Sequence, residues 1–149
     1  ILPIVGRIIQ LGELSRICRT MALLIRVGLP LPEVLAVTTH SITNAVINVN
    51  LAEVQQELIR GEGLSRPMEK RDLFLPLMTQ MVKVGEETGN LENTLNTVAD
   101  SFEAEANDKT NSAVALIQPA LTIILGLVVG FIVLAMFSAM YSIYRAPKI

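Results

Sequence analysis

The sequence predicts an all-α protein: an antiparallel six-helix bundle followed by one transmembrane helix. Apolar residues recur at spacings of three and four through most of the first 112 residues, and no alternating run lies between paired turn signals. Beyond Ser112 there is no acidic or basic side chain until after Tyr144. Within that stretch, Ala120 to Tyr141 is apolar except for Thr122, Ser138 and two glycines, enough helix to cross a hydrocarbon core of about 30 Å. The composition agrees, because 51% hydrophobic residues with only 4% aromatics and no Trp is unusual for a soluble domain of 149 residues.

In the first helix, Leu14, Ile17, Cys18, Met21, Leu24, Ile25 and Gly28 form one broad apolar row, which predicts a helix over 11–28 ended by Gly28, Pro30 and Pro32. Pro32 then suits the first turn of a second helix, where no amide donor is needed, and Thr38-Thr39-His40-Ser41 closes it. Asn44 caps a third helix with Ile47, Leu51, Val54 and Leu58 on one face and Gly61 as its stop. Ser65 and Pro67 open a short fourth helix. Pro76 opens a fifth, carrying Leu77, Met78, Met81, Val82 and Val84, with Gly85 expected to end it. Asn90 is placed to cap a sixth, whose apolar positions are Leu91, Leu95, Val98, Ala99, Phe102 and Ala106. No breaker follows until Pro119, which is either a kink or the start of the spanning segment.

Chemistry is sparse. Nucleic-acid binding is disfavoured, since the net charge is −2 and Arg60, Arg66, Lys70 and Arg71 alternate with Glu57, Glu62, Glu69 and Asp72. Cys18 lies in an apolar row and reads as core, and the lone His40 cannot build a zinc site. Glu86 and Glu87, framed by Gly85 and Gly89, are the obvious suspects for acid/base work. Adjacent helical residues do not face one another, however, and no His, Lys or metal-ligand spacing converges on them locally. A phosphate loop would want amides and a lysine where two carboxylates stand, and the ligand series of a calcium loop is missing. The simplest reading is a helix joint: Gly85 as the left-handed residue, Gly89 permitting the reversal and Asn90 capping, with Glu86 and Glu87 exposed as solvated charge or as a docking feature. No catalytic, cofactor or metal residue is assigned. In the membrane segment, Gly126 and Gly130, then Ala135 and Ala139, place small residues four apart, a spacing that lets helices pack closely. Tyr141 and Tyr144 suit the far interface.

Taken in order, Leu2-Pro3 with Gly6, Arg19-Thr20-Met21-Ala22-Leu23-Leu24, Gly28-Leu29-Pro30-Leu31, Asn44, Gly61 with Leu64-Ser65, and Gly85-Glu86-Glu87-Thr88-Gly89-Asn90-Leu91 resemble the C-terminal half of the GspF/PilC family. These are inner-membrane platform proteins of type II secretion and type IV pilus assembly. Gln118 stands where that family usually has Glu, Thr43 where Gly precedes Asn44, Ile17 where Phe is frequent, and Ser138 or Ala139 where a late proline is common.

The resemblance implies a non-enzymatic scaffold of the bacterial inner membrane, without cofactor, whose helical bundle lies on the cytoplasmic side. Its implied partners are a cytoplasmic assembly ATPase, pilin-like or pseudopilin subunits, other inner-membrane assembly proteins, further copies of itself and membrane lipid. Interaction candidates under it are Gly85, Glu86, Glu87, Gly89, Arg19 and Asn44. Residues 1–10 would end a linker from a preceding membrane segment, 11–112 form the bundle, 113–144 lead into and cross the membrane, and 145–149 form a short outer tail. A chain starting Ile-Leu-Pro reads as a piece of a longer protein, and the resemblance implies a second bundle in the missing half. Arg145 and Lys148 at the outer end against Lys109 at the inner run against the positive-inside rule. The alternatives are a helical sensor or regulatory subunit on a membrane anchor, and a membrane-anchored hydrolase using Glu86 or Glu87.

Overall fold

The computed structural model describes the backbone of residues 2–144 and the side chains of residues 6–141. Arg145 and Lys148, and the side chains of Leu2, Pro3 and Tyr144, lie outside the described residues. Among the described residues seven helices follow in order: α1 (Leu2–Arg26), α2 (Leu31–Ser41), α3 (Ala45–Ile59), α4 (Ser65–Glu69), α5 (Pro76–Thr88), α6 (Leu91–Ala115) and α7 (Ile117–Tyr144). No strand occurs among the described residues. The contacts divide the chain into two units, Ile1–Asp108 and Lys109–Ile149.

In the first unit, the predicted rows meet in one core. From α1 come Leu11, Leu14, Ile17, Cys18, Met21 and Ala22, from α3 Ile47, Leu51 and Val54, from α5 Met78 and Val82, and from α6 Leu95, Val98, Ala99 and Phe102. Leu24, Ile25 and Leu58 are only half-buried against it. The first helix starts earlier than expected, at Leu2 instead of near residue 11, so the stretch read as a linker is helical. Pro3 causes no break there because a first turn has no use for its missing amide. Gln10 in this early part donates through Nε2 to the Leu73 carbonyl at 3.0 Å.

Polar side chains tie the helices together where the core ends. Ser15 donates to the Ala99 carbonyl at 2.8 Å, joining α1 to α6. Asn44 caps α3 as predicted, its Oδ1 accepting from the amides of Val46 at 3.0 Å and Ile47 at 3.4 Å. Thr38, Thr39 and Ser41 donate to carbonyls three or four residues back, which satisfies the hydroxyls at the end of α2.

Beside α4, Arg71 reaches Glu57 at 2.6 Å and Glu53 at 3.2 Å and donates to the Pro67 carbonyl, while Lys70 reaches Glu57 at 2.9 Å and Glu62 at 2.8 Å. Hydrogen bonds from Arg71, then Lys70, hold the Glu57 carboxyl down at about 2 against an ordinary 4.5. A depressed carboxyl stabilises the fold fully above its unfolded value and loses that contribution as pH falls through its folded value. Glu57→Gln is therefore expected to destabilise the bundle at neutral pH. Its urea midpoint should converge on that of the parent as pH drops from 4.5 toward 2; parallel curves would show that the pairing contributes nothing.

The second unit contains α7, 28 residues long and the one helix among the described residues that is long and apolar enough to cross a membrane. The backbone turns at Leu116, between α6 and α7. Pro119 explains that interruption: its ring conflicts with a helical carbonyl four residues back, at Ala115, and is tolerated in a first turn. Pro119 thus lies in the first turn of α7.

Candidate functional site at the joint between α5 and α6

The predicted joint exists, but its glycines have exchanged roles. Helix α5 runs through Gly85 to Thr88, and Gly89 is the left-handed residue, with φ 69°. The amides of Gly89 and Asn90 both donate to the Gly85 carbonyl, the latter at 2.9 Å, which closes the helix end without a side chain. Gly85 is instead a close-packing residue. A Cβ there would lie 2.3 Å from Thr94 Oγ1 and 3.0 Å from Leu91 Cα, so only glycine lets α5 press against the first turn of α6. Asn90 takes the Thr94 amide on its carbonyl at 3.3 Å, and its Oδ1 accepts from Asn93 Nδ2 at 2.7 Å.

The expectation that Glu86 and Glu87 share one exposed role is corrected. Glu86 is half-buried: Oε1 accepts from the Leu64 amide and Oε2 from the Ser65 amide, the latter at 2.9 Å. It caps a different helix, α4, whose own cap position is Leu64 and offers no side-chain acceptor. Gly63 lies against the same carboxylate, where an added Cβ would stand 3.1 Å from Oε1. Both oxygens of this carboxylate are engaged by backbone amides, which gives Glu86 a structural task that the hydrolase reading does not call for. Glu87 remains exposed, beside a hollow of about 200 Å³ shared with Arg66, Glu69 and Lys83.

Other candidates are placed as follows. Arg19 is engaged at the surface of the bundle, its Nη2 3.0 Å from Asp100 and 2.7 Å from Glu103 of α6. Asn44 is occupied as the α3 cap. Burial pushes the Cys18 thiol up to about 12, which keeps it protonated and unreactive. His40 is exposed, with Nδ1 2.8 Å from the Ala36 carbonyl. Among the described residues no cluster of His, Cys, Asp or Glu has the arrangement to hold a metal ion. On α7, Gly126, Gly130, Ala135 and Ala139 are exposed within this chain, as is Tyr141. Sequence reasoning missed the Glu86 cap because its partners lie 21 and 22 residues upstream, and Ser65 reads as able to open α4 by itself, whereas the structure places Leu64 at the cap position.

The joint, the α4 cap and most of the apolar α7 fall within residues 17–139, which match the family model of type II secretion system (T2SS) protein F. The chain belongs to this family. Similar proteins include the type IV pilus assembly protein PilC of Thermus thermophilus, 33% identical over 143 residues, which cover 95% of this chain and 35% of that protein. The type II secretion system protein F of Pseudomonas aeruginosa is 33% identical over 141 residues, 95% of this chain and 35% of that protein. The type IV pilus assembly protein TapC of Aeromonas hydrophila is 30% identical over 142 residues, 95% of this chain and 34% of that protein. The chain thus spans about a third of the length of these relatives. As a stretch of a T2SS protein F family member, it keeps a helical bundle and one membrane-capable helix contiguous in sequence.

Proposed function

We propose that this chain forms part of an inner-membrane platform that couples a cytoplasmic assembly ATPase to the insertion of pilin-like subunits into a filament. The observation that carries the reading is the family match running unbroken from α1 into α7, so that a soluble-type core and a membrane-spanning helix belong to one matched region. In this reading the bundle is cytoplasmic and non-enzymatic, and the ATP chemistry is the partner's. Exposed Glu87 meets the ATPase, and motion passes from the joint along α6 and through the turn at Leu116 to α7. Gly126 and Gly130, with Ala135 and Ala139, pack against other membrane helices, including those of further copies.

Charge reversal at an exposed contact weakens binding without unfolding the protein. Glu87→Lys in the full-length protein, expressed in cells lacking their own copy, is therefore expected to bind the ATPase about tenfold less tightly, equivalent to about 1.4 kcal/mol, and to assemble fewer filaments. Undiminished ATPase binding and filament assembly in that variant would reject Glu87 as the contact.

A further inference from the structure

A cleft of about 560 Å³ lies within the first unit, between the α1–α2 turn and the α5–α6 joint. Its apolar wall is supplied by Ile25, Leu29 and Leu91, all half-buried and backed by the core. Its polar wall holds two carboxylates, Glu86, immobilised by the α4 amides, and Glu92, beside the neutral Asn90. The only ion partner described for Glu92 is Arg26, at 3.3 Å and with a largely exposed side chain that can swing aside. The N-termini of α2 and α6 flank the cleft and on their own would favour an anion. Each already carries an acid in its first turn, Glu33 in α2 and Glu92 in α6, so that field is neutralised within the protein. An anionic ligand would therefore meet two carboxylates against the single arginine Arg26, and a purely apolar one would set apolar surface against that net negative charge.

We propose that this cleft docks a short segment of a partner protein in which an aliphatic side chain is flanked by lysine or arginine. The aliphatic group covers Ile25, Leu29 and Leu91, and the cation replaces or joins Arg26 at Glu92. Arg26 then acts as the built-in placeholder for that cation. The inference rests on the platform reading only in taking the occupant to be a protein, and peptide binding can be measured without any filament machine.

The test uses the full chain in nanodiscs of zwitterionic lipid, with empty nanodiscs as reference. The probe is a fluorescein-labelled helical peptide with leucines at i, i+3, i+4 and i+7 and lysines elsewhere. Saturable binding is expected, about tenfold weaker for Leu29→Gln and for Glu92→Gln, and unchanged for Val84→Gln, an exposed residue of α5 outside the cleft. Circular dichroism of each variant checks that the helices persist. The same peptide with glutamates replacing the lysines, or serines replacing the leucines, should bind at least tenfold more weakly. Equal binding by the glutamate peptide, or binding indifferent to both cleft variants, overturns the proposal. Either result would leave the Glu87 measurement in cells standing on its own outcome.

Discussion

Gly85→Val is expected to lower the stability of the bundle by about 3 kcal/mol, at the upper end of the cost of forcing extra carbons into a packed site. The first atom of any side chain would stand 2.3 Å from Thr94 Oγ1 and 3.0 Å from the Leu91 backbone, and a backbone atom cannot swing aside. Gly85→Ala is gentler, because alanine in a helix interior regains about 1 kcal/mol over glycine. The pair Gly85→Ala and Thr94→Ala separates crowding from other effects. If the Thr94 hydroxyl is the main obstacle, the double variant is more stable than the sum of the two single losses predicts. Urea midpoints at an unchanged denaturant slope provide the measure. Strict additivity would show that Gly85 is not held to glycine by this contact.

The expected consequence extends past stability. Thr94 and Leu91 occupy the first turn of α6, so a displaced Gly85 shifts where α6 begins and in which direction it leaves the joint. Under the platform reading, that helix carries motion toward the membrane segment. Filament assembly should therefore fall in Gly85→Ala even where most of the protein remains folded.

What the amino-acid order reveals here follows from how far apart the interacting residues lie. Asn44 is legible because a cap is local: its carboxamide meets amides two and three residues ahead. The membrane helix is legible because lipid demands a continuous apolar run, whatever the rest of the chain does. The apolar rows of α1, α3 and α6 are legible from period alone, and their central positions are the buried ones. The two glycines of the joint illustrate the limit. Either could supply a left-handed residue, and the choice is made by contact with Thr94, which belongs to the next helix. Arg19 is similar: its acidic partners are 81 and 84 residues away, so a signature arginine resembles a docking residue until α6 is laid beside α1. The start of α1 was obscured by Pro3 and Gly6, which signal a break anywhere except in or near a first turn.

Glu86→Ala is expected to cost about 2 kcal/mol, because it removes the acceptor of two backbone amides at the start of α4 that no other described side chain caps. The value is below the full loss of two buried hydrogen bonds because the site is half-buried and water can partly replace the carboxylate. Glu86→Gln is a sharper test of the same geometry. It keeps one oxygen but presents an NH2 donor to the second amide, so the amides of Leu64 and Ser65 should both lose hydrogen-exchange protection, one more than the other. Glu86→Asp retracts the carboxylate by one methylene and should fall between the parent and Glu86→Ala. The effect is local, since α4 is five residues long and packs mainly through Pro67 and Met68, and the amides of α1 and α6 should keep their protection. Unchanged exchange at Leu64 and Ser65 in Glu86→Ala would mean that the segment holds itself. In that case Glu86 would return, beside Glu87, to the set of residues available for contact with a partner.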